Sequence, residues 1–305
     1  MTRTQAQIDE YLEKLLEQRE KEIDRIYLDQ LKAIREQIAE MYERYAKGET
    51  LTYADMMKYN RLEKQLELIR EELQKIYKEV GQVIFKSIEE QFLENYFRTA
   101  YLLEYEAQQK MGYGRSIPDV VEEVIQNPIA GLTLNEILEK NRQAITWRIR
   151  QEVTQGLIAG ESYQKMAQRI REVLGSDRNK ALTVVWTEAG RAQILGRLKA
   201  IEKAEEYFEV ERVWNATLDR RTRPTHRALD GQKADEEGYF HFRGMRAKGP
   251  HLWGVARMDI RCRCTVRVQI LGEEPRVRRA RKDDGSSEII PWTSYEDWYK
   301  NRIGN

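Results

Sequence analysis

Thr217–Gly231, TLDRRTRPTHRALDG, and the tetrapeptide Arg261-Cys262-Arg263-Cys264 that follows about thirty residues later hold most of the unusual residue types in this chain. All three histidines (His226, His241, His251) and both cysteines fall between positions 226 and 264 of 305 residues. The hydrophobic period changes around them. Glu209–Thr217 alternates with period two, and Cys264–Ile270 does the same, so two paired strands bracket the region. Between them, Asp219 or Thr222 is placed to cap a short helix with Pro224 in its first turn and Gly231 past its end. On that helix His226 and Asp230 are four apart and share a face. Residues 232–260, punctuated by Gly238, Gly244, Gly249, Pro250 and Gly254, are predicted as loops.

Outward from this module the chain is helical. Tyr27, Leu31, Ile34, Ile38, Met41 and Tyr45 step by four and three, and Leu62, Leu66, Ile69, Leu73, Ile76, Val80 and Val83 repeat the pattern. Gly48 ends the first helix, and Thr52 with Asp55 starts the next segment. The short joint predicts an antiparallel hairpin, read as a structural coiled coil or as a docking arm. Phe92, Tyr96, Phe97, Tyr101 and Tyr105 cluster near its far end, for packing or for a partner. Gly112, Gly114, Pro118, Pro128 and Gly131 mark a hinge. Further helices follow over Asn135–Ala159, Ser162–Leu174 and Asp177–Glu206, with Gly160 and Gly175 as stops. The fold class is therefore mainly α with a small C-terminal α+β module. In order, residues 1–110 are the hairpin arm, 111–134 the hinge, 135–206 a helical domain, 207–272 the α+β module and 273–305 a basic tail, extended apart from a terminal helix anchored by Trp292, Tyr295, Trp298 and Tyr299.

Composition excludes several classes. Charged residues make up 34% and mean hydropathy is −0.75, with no apolar run long enough for a membrane helix. The N-terminus enters charged helix directly, so no secretory signal is expected. Two cysteines in one tripeptide suit a reducing cytoplasm rather than a disulfide framework. The net charge of +1 hides an asymmetry: residues 211–282 hold 18 Lys/Arg against 9 Asp/Glu, leaving −8 elsewhere. Such a module faces nucleic acid or an acidic protein, or keeps its arginines for internal ion pairs.

Asp219, Thr222, His226, the Leu229-Asp230-Gly231 turn and Cys262-Arg263-Cys264 resemble the C-terminal signature of the phage head morphogenesis family, the Mu F-like minor capsid proteins of tailed bacteriophages. The resemblance spans roughly residues 135–270, because the helix holding Thr187-Glu188 and Arg191-Ala192 resembles the family segment before the signature. Many members carry C-x-x-C where this chain has Arg223 and His226, so a four-cysteine metal site does not carry over. The resemblance implies a minor head protein acting in head assembly and DNA packaging or ejection, present in a few copies around the portal protein. It implies contact with capsid or scaffold proteins and with double-stranded DNA without sequence preference. The virion head interior is the implied location, with the host cytoplasm during assembly and no membrane.

Three chemistries compete at the signature. Cys262, Cys264 and His226 are three candidate zinc ligands, with His251, His241 or Asp219 as a fourth, although C-x-C thiols on a regular strand do not converge without a bulge. Asp219, His226 and Asp230, or a cysteine beside histidine, could serve acid–base or nucleophilic catalysis, but no nucleophile elbow, H-E-x-x-H or phosphate loop accompanies them. The preferred reading is structural and non-enzymatic: Asp219, Thr222, His226, Asp230 and Gly231 satisfy turns, while Cys262 and Cys264 pack as small apolar groups. Arg276, Arg278, Arg279, Arg281 and Lys282 are the candidates for DNA phosphate. The alternatives from other classes are a zinc-stabilised nucleic-acid-binding module and a phage-carried effector enzyme.

Overall fold

The computed structural model describes residues 4–114, 132–270, 277–282 and 284–302. The two long N-terminal helices form where the apolar spacing predicts. Helix α1 covers Gln5–Tyr45, and Gly48 follows at φ 67°, a conformation glycine adopts without steric cost. Thr52 caps α2 (Tyr53–Met57), its hydroxyl accepting the Asp55 N–H. A 3-10 turn at Lys58–Asn60 leads into α3 (Arg61–Ala107). Next come α4 (Leu134–Ile158) and α5 (Tyr163–Ala204). The stop expected at Gly175 does not occur. Val173 and Leu174 before it and Ala181 and Leu182 after it are all buried. Their burial outweighs the roughly 1 kcal/mol that an interior glycine costs a helix.

Two compact units divide the chain, and they do not follow the sequential division expected from composition. One comprises Gln18–Phe85 and Leu134–Val184. Ile34, Ile38, Leu73, Ile76, Ile149, Val153 and Ile170 are among its buried side chains. Asp177 sits at 2% exposure and accepts hydroxyl bonds from Tyr27 (2.7 Å) and Tyr77 (2.9 Å). Arg178 forks onto Asp24, both contacts at 2.7 Å. The helices of the expected free arm thus bond directly to α5 within this unit, because a two-helix seam alone leaves apolar and polar groups uncovered.

The other unit comprises Met1–Glu17, Lys86–Thr133 and Val185–Asn305, so the last turns of α5 belong with the C-terminal module rather than with a separate 135–206 domain. Its core gathers Leu103, Met111, Leu198, Ile201, Trp214, Phe240, Trp253, Val266 and Trp298. Arg197, fully buried, contacts Asp9 (2.5 Å), Asn95 (3.1 Å) and the Val266 carbonyl (3.1 Å). At Gly196 a Cβ would lie 2.4 Å from the Phe92 carbonyl oxygen, so only glycine permits this approach of α5 to α3. Of the aromatic cluster, Phe92 and Tyr96 are buried, while Phe97, Tyr101 and Tyr105 stay exposed.

The expected strand pair is present: β1 (Val210–Asn215) runs antiparallel to β4 (Thr265–Ile270), with Val210 opposite Ile270 and Asn215 opposite Thr265. Between them lie α6 (Pro224–Arg227), the hairpin β2 (Phe240–Phe242) and β3 (Met245–Ala247), and α7 (Ala256–Asp259). The tail differs from the extended segment expected. It forms a third antiparallel pair, β5 (Val277–Arg281) and β6 (Ser287–Pro291), then the predicted terminal helix α8 (Tyr295–Arg302). Ala280, Tyr295 and Trp298 enter the module's core, and burial of those two aromatic rings is what orders the segment. Most of the expected hinge, 115–131, and Arg276 lie outside the described residues.

Candidate functional site

Strand β1 ends at Asn215, and the chain then turns through the first signature stretch, where nearly every polar side chain has an internal partner. Asp219 takes the Arg221 N–H (2.8 Å) and ion-pairs with both terminal nitrogens of Arg263. The Thr222 hydroxyl lies 2.6 Å from the Thr217 carbonyl and 3.0 Å from Asp219 Oδ1. Neither residue caps α6 as predicted. Arg223 is the N-cap and makes no side-chain cap bond, its guanidinium reaching instead to the Met258 and Ile260 carbonyls.

His226 and Asp230 do not share a face, because α6 ends at Arg227 and the chain turns before Asp230. Asp230 is a hub whose carboxylate is 7% exposed. Its Oδ1 accepts from the Ala216 N–H (2.8 Å) and Arg278 Nη2 (2.6 Å), and its Oδ2 from Arg278 Nη1 (3.0 Å) and the Tyr295 N–H (2.9 Å). Gly231, at φ 77°, returns the chain to β1 by donating to the Trp214 carbonyl.

His226 points the other way. Its Nδ1 lies 3.3 Å from Cys264 Sγ and 3.4 Å from Cys262 Sγ, and all three side chains are buried. The thiols converge because the tripeptide is not on a regular strand. Arg261 adopts φ 51° after α7, and β4 begins only at Thr265. Arg263, between the cysteines, sends its side chain to Asp219 while its carbonyl accepts the Thr217 hydroxyl (2.5 Å). Side chains alternate along an extended segment, so fastening Arg263 on one side turns both thiols to the other.

Burial pushes the Cys264 thiol up, but hydrogen bonds from Cys262 and His226 outweigh it and bring the pKa down to about 5. Cys262 moves the opposite way, raised by burial and by the neighbouring Cys264. Asp219 is also raised by burial, yet the Arg263 guanidinium more than offsets this and holds it below the ordinary carboxylate range.

Of the three candidate fourth ligands, two are elsewhere. His241 is exposed and bonds Asp235 at 2.5 Å, and Asp219 is committed to Arg263. His251 is buried against α5 at Gly190, where an added Cβ would meet its ring at 2.5 Å. Burial and the nearby His226 drive the His251 pKa down to about 3, so it is neutral. Its Nδ1 and the Nε2 of His226 are buried without a hydrogen-bond partner.

Thr187, Glu188 and Arg191 resolve toward the module, not the surface. The Thr187 hydroxyl accepts the Arg261 N–H (3.1 Å), and Glu188 and Arg191 form a buried ion pair at 2.5 Å. Asp259, Asp9 and Glu13 escaped the sequence reading. Asp259 is fully buried and accepts the Trp253 and Val255 N–H groups, both at 3.1 Å. The signal for it was a lone carboxylate, Met258-Asp259-Ile260, among apolar neighbours.

Phage Mu protein F-like sequences match this chain over residues 147–267. The minor head protein GP7 of Bacillus phage SPP1 is 37% identical over 299 residues, 98% of this chain and 97% of that protein. The chain belongs to the phage Mu F-like family of minor head proteins. A second relative, an NAD(+)–arginine ADP-ribosyltransferase of Enterococcus faecalis, is 36% identical over 67% of this chain but only 42% of its own length. No solved structure matches. The family segment, 147–267, contains His226, Cys262 and Cys264 and all of the Asp219–Arg263 fastening, but stops short of Arg278. No described helix is long and apolar enough to cross a membrane.

Among the described tail cations expected at phosphate, Arg278, Arg279 and Arg281 have internal partners. Arg278 is 2% exposed and held by Asp230; Arg279 and Arg281 both pair with Glu13; Lys282 lies 3.8 Å from Glu288. Arg278 is thereby a core residue. Lys282 stays exposed, and other exposed cations of the module include Arg221, Arg243, Arg246, Lys248, Arg257 and Arg261.

Proposed function

We propose that this chain is a virion component that docks on the portal protein inside the phage head and is assembled there in the host cytoplasm. The observation that carries this is the match to a minor head protein over nearly the whole length of both chains. Two features support it. The polar residues of the signature are spent on internal fastening, which leaves its surfaces as the working part. Phe97, Tyr101 and Tyr105 lie four apart along α3 and are exposed, a stripe of the kind that protein partners cover. We assign no DNA contact to Arg278, Arg279 or Arg281, since Asp230 holds the first and Glu13 pairs with the other two.

The test is co-expression with the portal protein of the same phage, followed by gel filtration and mass spectrometry of purified heads. Co-elution, and loss of the chain from heads that lack the portal, is the expected result. Heads that carry normal amounts without a portal would refute the proposal. A Tyr101→Ser/Tyr105→Ser variant is expected to fold normally and to co-elute poorly.

A further inference from the structure

We infer that His226, Cys262 and Cys264 form a binding site for one soft divalent cation of the zinc class. The inference stands apart from the head-docking proposal and fails or survives separately from it. Three observations carry it. The first is distance. Zinc–sulfur bonds of about 2.3 Å and zinc–nitrogen bonds of about 2.05 Å in a tetrahedron put nitrogen and sulfur roughly 3.6 Å apart. Nδ1 of His226 lies 3.3 Å and 3.4 Å from the two sulfurs, and all three donor atoms fall within 4.8 Å of one another. A two-centre hydrogen bond accounts for one such approach, whereas a cation held by all three donors accounts for both.

The second is charge. The three donors are buried, and two thiolates left alone there would carry two uncompensated negative charges. A divalent cation with two thiolates and one neutral imidazole sums to zero, which suits an apolar core containing Trp214 and Trp253. On binding, a cysteine still protonated gives up its thiol proton to solvent while each sulfur forms a bond to the metal. Two sulfurs and one nitrogen favour zinc-class ions over calcium or magnesium, which take oxygen.

The third is construction. His226 arrives from α6 and the cysteines from the turn after α7, and independent contacts aim each one: Arg223 to the Met258 carbonyl, Arg263 to Asp219, and Thr187 to the Arg261 N–H. Cys262 and Cys264 also line a surface cleft with Asp9, Glu13 and Gln193, which gives an ion a way in.

The experiment uses the full chain, purified under reducing conditions, stripped with chelator and titrated with cobalt(II), then zinc(II). One equivalent of cobalt should bind, with thiolate-to-cobalt charge-transfer absorption and the intense visible bands of a four-coordinate site, and zinc should displace it. Cys262→Ser, Cys264→Ser and His226→Ala should each weaken binding by more than the roughly 10–100-fold that loss of an outer partner costs. Because these variants also disturb the core, the wild type supplies a second readout. Zinc should slow alkylation of both thiols at least about tenfold under native conditions, counted by mass. Absence of the charge-transfer band, alkylation of both thiols at the same rate with and without zinc, or unchanged cobalt affinity in the double serine variant would each overturn the site.

Discussion

Asp230→Ala should be among the most damaging single substitutions in the C-terminal module. The carboxylate is 7% exposed and Arg278 1%, and the contact is a two-pronged fork at 2.6 Å and 3.0 Å. Removing one partner of a buried pair costs about 3–5 kcal/mol, because the surviving charge is stranded. The same change leaves the Ala216 and Tyr295 N–H groups without their acceptor, at roughly 1–3 kcal/mol each. These costs overlap, since one relaxation or one water can relieve several groups, so about 4–6 kcal/mol is a reasonable total. That is much of the 5–15 kcal/mol by which a domain is typically stable. The assay is urea denaturation followed by tryptophan fluorescence, which reports on Trp214, Trp253 and Trp298 in this core. Arg278→Met should cost less than Asp230→Ala, and the double variant should fall short of the sum by at least about 1 kcal/mol. A loss below about 1 kcal/mol for Asp230→Ala, or strict additivity, would show that Arg278 does not depend on Asp230.

The remaining expectations rest on separate contacts. Gly190→Ala should destabilise the module by about 1–3 kcal/mol, read as a lowered Tm, since the new methyl meets the His251 ring. Gly196→Ala should be at least as costly, because the obstacle is the Phe92 backbone rather than a movable side chain. His251 stays neutral when folded and titrates near 6.5 when unfolded, so the unfolded chain binds the extra proton between those values. Stability should therefore fall as pH drops from about 6.5 toward 3, and His251→Gln should flatten that slope in denaturation curves taken across the window. In the helical unit, Tyr27→Phe and Tyr77→Phe should each cost about 1 kcal/mol, and together more, as Asp177 loses its two donors; the double-variant cycle measures the difference.

Much of the fold was legible because it is local. Apolar residues at spacings of three and four define α1 and α3, period-two alternation defines β1 and β4, and Pro224, Gly48 and Gly231 mark ends and turns. The crowding of His226, Cys262 and Cys264 was visible as a pattern of residue types. Their convergence was not, because it depends on the positive φ of Arg261 and on Arg263 being drawn to Asp219. The fate of the tail arginines was equally hidden. Arg278 looks like any surface cation until Asp230, 48 residues earlier, is brought beside it.

By itself, then, the order of residues determined which segments are helix or strand, and which residue types meet a signature stretch. Period and capping act over a few positions, so neighbours in the chain suffice. Only the tertiary structure decided that α5 runs through Gly175, that residues 185–204 join the C-terminal module, and that the basic tail folds into its core. Those outcomes turn on burial and ion pairing between residues tens to hundreds of positions apart, such as Glu13 with Arg281 and Asp9 with Arg197. The strength of such contacts depends on how completely water is excluded, and no stretch of sequence records that.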